Sequence, residues 1–219
     1  MFIGHFAVGL ASKRVAPKTS AGVLLMAPLF LDLIWPVFLI AGIETVRIDP
    51  GNTAFTPLDL HDYPWSHSLV MSLVWSALVA GTYAAATRYT RGAIVLGLGV
   101  FSHWLFDFFT HRPDLPLFPG SATSVGLGLW NSRPATLLVE SAIFAAGIWI
   151  YTRATRPRDR TGRWSLVALV VFLIVVYLSA AFGPPPPNPR VLAAMGLLSW
   201  IFIPWGWWMD RHRGLRSPV

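Results

Sequence analysis

The sequence predicts an all-α polytopic membrane protein: six transmembrane helices preceded by a short N-terminal half-helix or re-entrant element. Three observations predict it. Hydrophobic residues are 54% of the 219-residue chain and charged residues only 12%, with mean hydropathy +0.56. A soluble domain carries about a quarter charged residues, so the deficit places most of the surface against lipid. Second, six windows approach the roughly 20 apolar residues that a crossing helix needs. Third, the basic residues gather in alternate loops, as topology requires of a multi-pass protein.

The windows are 19–43, 66–86, 93–110, 134–151, 164–182 and 191–209. The apolar stretch 2–11 is too short to cross and is expected to tuck against the bundle. It does not read as a cleavable leader, because Lys13, Arg14 and Lys18 follow it rather than precede it. The proline run 184–187 is a rigid connector between the last two spans. The chain reads as a single transmembrane domain over 1–219, with no internal repeat.

Counting basic residues orients the bundle. One set of loops holds Lys13, Arg14 and Lys18; Arg88 and Arg91; Arg153, Arg156, Arg158, Arg160 and Arg163; and Arg211, Arg213 and Arg216. These are thirteen of the seventeen, and only Arg47, Arg112, Arg133 and Arg190 lie opposite. Positive loops stay cytoplasmic, so the C-terminus is expected inside, with 44–65, 111–133 and 184–190 outside. The same asymmetry explains the net charge of +7 without a nucleic-acid partner. The chain has no cysteine, so any soft-metal site must use imidazole and carboxylate.

Ionisable residues within spans are costly and are functional candidates by default. His103, Asp107 and His111 recur at i, i+4 and i+8, which stacks imidazole, carboxylate and imidazole on one helix face. That spacing takes two ligands from one rigid turn. Asp32 lies mid-span between Pro28 and Pro36, each of which frees a carbonyl one turn earlier. His67 opens the second span after Pro64 and Ser66. Glu140 has no basic partner in its own span, and His5 sits in the short first element. Asp59, His61 and Asp62 read as solvated loop residues. His67, Asp107 and Glu140 fall in the outer half, with Asp32 and His103 nearer the middle, so one pocket opening outward is expected to gather them. Arg112 and Arg133 flank its mouth.

The segments Gly4-His-Phe-Ala-Val-Gly-Leu, Leu31-Asp-Leu-Ile-Trp-Pro, Pro64-Trp-Ser-His-Ser-Leu, Ser102-His-Trp-Leu-Phe-Asp, and His111-Arg-Pro-Asp through Leu129-Trp-Asn and Glu140 resemble bacterial inner-membrane proteins labelled metal-dependent hydrolases (YdjM-like). The resemblance covers roughly 1–151, the expected metal-site core; the two spans over 164–209 match only in hydrophobicity. It extends remotely to the zinc-dependent phospholipase C and nuclease superfamily, in which a helical His-x3-Asp supplies zinc ligands. It implies His5, Asp32, His67, His103, Asp107 and Glu140 as ligands of a divalent metal, zinc first and manganese second. The superfamily's second helical His-x3-Glu is absent, since Thr136 stands four residues before Glu140.

The expected function is a membrane-embedded hydrolase, acting on a phosphoester of a lipid or lipid-linked substrate in the outer half of the bilayer. Asp32 and His111 are the catalytic candidates, His111 as proton donor to the leaving group. Arg112, Asn131 and Arg133 are the substrate-binding candidates, because arginine suits a phosphate. The alternatives are a proton- or ion-coupled transporter, which would use the same polar stripe, and a structural protein that uses it as interhelical glue.

Overall fold

The structure, a computed structural model, describes residues 1–216. Its first helix, α1 (Ile3–Val15), is followed by the spans α2 (Ala21–Ile40), α4 (Leu69–Thr87), α5 (Thr90–Thr110), α6 (Arg133–Ala154) and α7 (Arg160–Phe182). The sixth span, Pro189–Arg211, is broken: α8 (Pro189–Leu197) runs through a 3-10 turn, Leu198–Ile201, into α9 (Phe202–Arg211). A one-turn helix, α3 (Pro64–His67), precedes α4. The chain is therefore an all-α polytopic membrane protein, and among the described residues six helices are long and apolar enough to cross. Val74, Leu78, Ile94, Leu98, Val171 and Val175 are exposed on these spans, as a lipid-facing surface demands.

Hydroxyl, carboxylate and carboxamide caps start the helices where the sequence turns apolar. Ser20, Ser68, Ser132, Asp159 and Asn188 each accept the backbone N–H three residues on, satisfying a donor that the helix leaves unpaired. α1 is the short N-terminal helix expected, longer than the apolar stretch 2–11. It runs to Val15 and lies inside the bundle, packed along α6 and α2 and touching α5. Ile3, His5, Phe6 and Leu10 are buried. Small residues allow the approach: a Cβ on Gly147 would lie 2.5 Å from Ala7 Cα, and one on Gly9 would lie 2.9 Å from the Leu24 carbonyl oxygen. That intimacy carries His5 into the core.

The loops expected outside are partly ordered into β-hairpins. β1 (Thr45–Ile48) pairs antiparallel with β2 (Leu58–Asp62), and β3 (Leu115–Pro116) with β4 (Ser124–Val125). Val46, Phe55, Leu60, Tyr63 and Leu115 bury against the helix ends, so this cap folds onto the bundle. At the opposite end, β5 (Thr155–Pro157) pairs with β6 (Arg213–Leu215), clasping the ends of α6 and α9 together.

A candidate metal centre

The α5 stripe forms as its spacing predicts. His103 Nε2 lies 3.0 Å from Asp107 Oδ2, and His111 Nε2 lies 3.7 Å from the same oxygen. His111 is the C-cap of α5, already extended in backbone, yet its ring still reaches Asp107. His5 enters from α1, with Nε2 3.1 Å from Asp107 Oδ1 and its ring stacked on His103 at 3.8 Å. Asp107 Oδ1 also accepts from the amino group of Met1.

Asp32 and His67 complete the cluster. Asp32 Oδ1 is 3.5 Å from His67 Nε2 and 3.7 Å from His103 Nε2. Two groups of three donors thus share His103: His5, His103 and Asp107, and Asp32, His67 and His103, each with its donor atoms within 4.8 Å of one another. Asp32 is the open member, 38% exposed at its side chain, against 5% or less for His67, His103 and Asp107.

What holds the rings is as informative as what they face. His103 Nδ1 donates to the Pro28 carbonyl at 2.7 Å. Pro36 and Pro28 were expected to free the carbonyls of Asp32 and Leu24; the histidine instead takes the carbonyl of Pro28 itself. His67 Nδ1 donates to Ser66 Oγ at 2.6 Å, and that hydroxyl donates to Glu44 Oε2 at 2.7 Å. His111 Nδ1 donates to Asp114 Oδ1 at 3.0 Å, an oxygen that also accepts from the Tyr63 hydroxyl. These acceptors place the proton of a neutral His67, His103 or His111 ring on Nδ1 and leave Nε2 turned inward as a lone pair; His5 differs, with Nε2 against Asp107 and Nδ1 unpartnered among the described residues. Outer partners of this kind fix the tautomer and aim of metal-binding histidines. His103 Nε2 is fully buried and, although Asp107 Oδ2 approaches to 3.0 Å, makes no aligned hydrogen bond among the described residues, an unusual state for a buried ring nitrogen and one that a cation would resolve.

Outside the spans the environment tunes three groups. Burial raises the Glu44 carboxyl above its ordinary value, against the pull of donors from Ser66 and Trp65. Burial also lifts the Tyr63 hydroxyl well above its usual range, reinforced by the charges of Asp114 and Asp107, so it remains a donor. Burial lowers the His111 imidazole, opposed by Asp107 and Asp114.

Other candidates take different work. Glu140 is fully buried, but Oε2 accepts the backbone N–H groups of Phe2 (2.8 Å) and Gly4 (3.4 Å), capping α1 from across the bundle; Oε1 has no partner among the described residues. It belongs to neither group of donors. Arg112 is not a free anion clamp. It donates to Asp59 Oδ1 and to Asp114 Oδ2 (3.3 Å), bracing the carboxylate that orients His111. Asp59 is accordingly an ion-pair partner rather than a solvated loop residue. Arg133 lies over the Phe182 ring at 5.5 Å, and Asn131 is exposed on the 3-10 turn Leu129–Asn131, so neither contacts the cluster. His67 does not open the second span but sits on α3, one turn ahead of it. Glu44, Ser66, Tyr63 and Asp114 escaped the sequence reading. The short spacing His111-x-x-Asp114 was the available signal for Asp114; Glu44 gave none, being one acid in a polar loop.

Bundle and cluster together define a multi-pass membrane protein that encloses a buried His/Asp centre beneath a β-hairpin cap. The chain belongs to the YdjM inner membrane protein family, whose model matches residues 1–183. The match runs beyond the 1–151 expected from the motifs and takes in α7. No curated protein and no solved structure matches the chain.

Proposed function

We propose that the chain is a metal-dependent hydrolase embedded in the inner membrane, cleaving a phosphoester of a lipid or lipid-linked substrate. The observation that carries this reading is the common aim of His67 and His103. Both rings tie Nδ1 to an outer acceptor and turn Nε2 toward Asp32. Histidines serving as interhelical glue would use both ring nitrogens in hydrogen bonds. Imidazole and carboxylate without thiolate suit zinc, and also manganese. The ligands would be His67, His103, Asp32 and Asp107, with His5 adjoining through Asp107. A single lone pair on His103 Nε2 serves one ion, so two donor groups sharing that nitrogen favour a single ion.

Bound there, a divalent ion supplies Lewis acidity, which acidifies a water and draws charge from a phosphoryl oxygen. The chain's own groups handle the protons. His111, with its proton on Nδ1 held by Asp114 and its Nε2 free, is placed to accept the proton that water loses as its oxygen bonds phosphorus. The same nitrogen then returns that proton to the alkoxide released when the ester P–O bond breaks. This order makes His111 a base first and an acid second. Asp114, braced by Arg112 and Tyr63, stabilises the imidazolium between the two transfers.

A groove of about 450 Å³ supports a lipid substrate. Phe106, Phe109, Leu127, Leu129, Val139 and Ile143 line it together with Met1, whose amino group touches Asp107. It is apolar and adjoins the cluster, as an acyl chain beside a reacting headgroup requires. The bias of basic residues toward one set of loops favours a cytoplasmic β5–β6 end and C-terminus, with the hairpin cap and the centre toward the outer leaflet.

The test is turnover. The protein, purified in detergent and loaded with zinc or manganese, is given mixed micelles of phosphodiester and phosphomonoester lipids, and products are read by mass spectrometry. Metal-dependent cleavage, lost in His103→Ala, supports the reading. Loaded protein that turns over none of these lipids but carries ions or protons across liposomes overturns it in favour of a transporter.

A further inference from the structure

A second polar cavity lies at the far end of the molecule, where the β5–β6 clasp meets α1. It encloses about 210 Å³, and its walls include Lys13, Thr155, Arg158, Asp210 and Arg213. Three cations therefore face one carboxylate. Asp210 is largely neutralised: its Oδ2 accepts from Lys13 Nζ at 2.8 Å and from the Ala21 N–H at 3.3 Å. The two guanidinium charges stay uncompensated in the cavity wall.

These cations are placed rather than scattered. Arg213 is only 6% exposed. Its Nε and Nη2 donate to Thr155 Oγ1, both at 3.1 Å, and Nη1 to the Gly162 carbonyl at 2.8 Å. Its plane lies against the Tyr151 ring, 5.2 Å from the centroid. Those bonds use three of the five guanidinium N–H groups. Lys13, also buried, spends two of its three donors, on Asp210 and on the Thr19 carbonyl. Arg158 is exposed at the rim, and its guanidinium makes no hydrogen bond or ion pair among the described residues. Burying a guanidinium and an ammonium together is costly unless an anion or carboxylate offsets them, and here one carboxylate stands against three cations.

We propose that this cavity binds a phosphate group, either the headgroup phosphate of an anionic lipid or free inorganic phosphate. Arginine's planar fork matches phosphate oxygens bidentately. The cavity lies at the end of the bundle to which thirteen of the seventeen basic residues belong. Basic pockets between helices on that side of a membrane take anionic headgroups. The site is separate from the His/Asp centre and independent of the hydrolase reading. Its occupant would tie α1 to the β5–β6 clasp by linking Lys13, Arg158 and Arg213.

The test measures thermal stabilisation and native mass spectra of the full chain in detergent, with phosphatidylglycerol, phosphatidylcholine or inorganic phosphate added. Wild type is expected to retain phosphatidylglycerol or phosphate in preference to phosphatidylcholine. Arg158→Gln should weaken that binding roughly tenfold, the scale of one lost charge-assisted contact. Arg160→Gln, an exposed arginine outside the cavity lining, should leave it unchanged. Retention of phosphatidylglycerol against millimolar phosphate identifies a lipid headgroup; binding of phosphate alone identifies the free anion. The proposal is overturned if neither ligand binds wild type, or if Arg158→Gln and Arg160→Gln weaken binding equally, which would mark a diffuse surface charge.

Discussion

Ser66→Ala perturbs the proposed centre without touching a proposed ligand. The hydroxyl accepts from His67 Nδ1 at 2.6 Å and donates to Glu44 Oε2 at 2.7 Å. Removing it strands a buried ring N–H, while Glu44 keeps the N–H groups of Trp65 and Ser66 at 2.8 and 2.7 Å. One stranded buried donor costs about 1–3 kcal/mol of folding stability. The larger signature is in metal affinity. Loss of an outer partner weakens a histidine-ligated ion about 10- to 100-fold, equivalent to about 1.4–2.8 kcal/mol. Competition against a chromophoric chelator in detergent, with zinc as the titrant, measures it. Ser66→Thr keeps the hydroxyl and should bind like wild type. A Ser66→Ala protein that melts as a folded chain and binds zinc with wild-type affinity refutes the reasoning, because His67 would then not be a ligand aimed by Ser66.

Three further outcomes follow from the same geometry. Glu140→Gln should hold zinc as wild type does, since an amide oxygen still caps Phe2 and Gly4, whereas Glu140→Ala should lower stability by about 1–3 kcal/mol through unpaired N–H groups; zinc lost from Glu140→Gln would restore Glu140 as a ligand. Gly147→Val should destabilise by about 1–3 kcal/mol through overpacking against Ala7, and it should weaken zinc binding by displacing His5; an unchanged melting temperature contradicts the α1–α6 contact. Chelation of a metal-loaded sample should lower its melting temperature, by linkage of binding to folding, and should leave His103→Ala unmoved.

Much of this was legible in sequence because it is local. The six spans follow from composition over 20-residue windows, and the His103–Asp107 pair from a four-residue helical spacing. What failed to read was what depends on packing between distant segments. The stretch 2–11 is too short to cross, but composition could not show that Gly9, Ala7 and Gly147 let α1 pack backbone to backbone inside the bundle. Glu140 looked like a ligand because it lacked a cation in its own span. Its partners are N–H groups 136 and 138 residues away, which no windowed reading can supply. Glu44 carries no sequence signal, and only the return of α3 beneath it makes it the anchor of His67 through Ser66. Arg112 and Arg133 were read as positive charges at a mouth, but charge says nothing of commitment, and Asp59, Asp114 and the Phe182 ring engage both.

Elemental analysis of the detergent-purified chain after zinc loading tests the central claim most directly. One divalent ion per folded chain is expected, absent from His67→Ala with His103→Ala although that variant remains monodisperse. A folded wild-type chain that holds no ion, or a double variant that keeps it, contradicts the account.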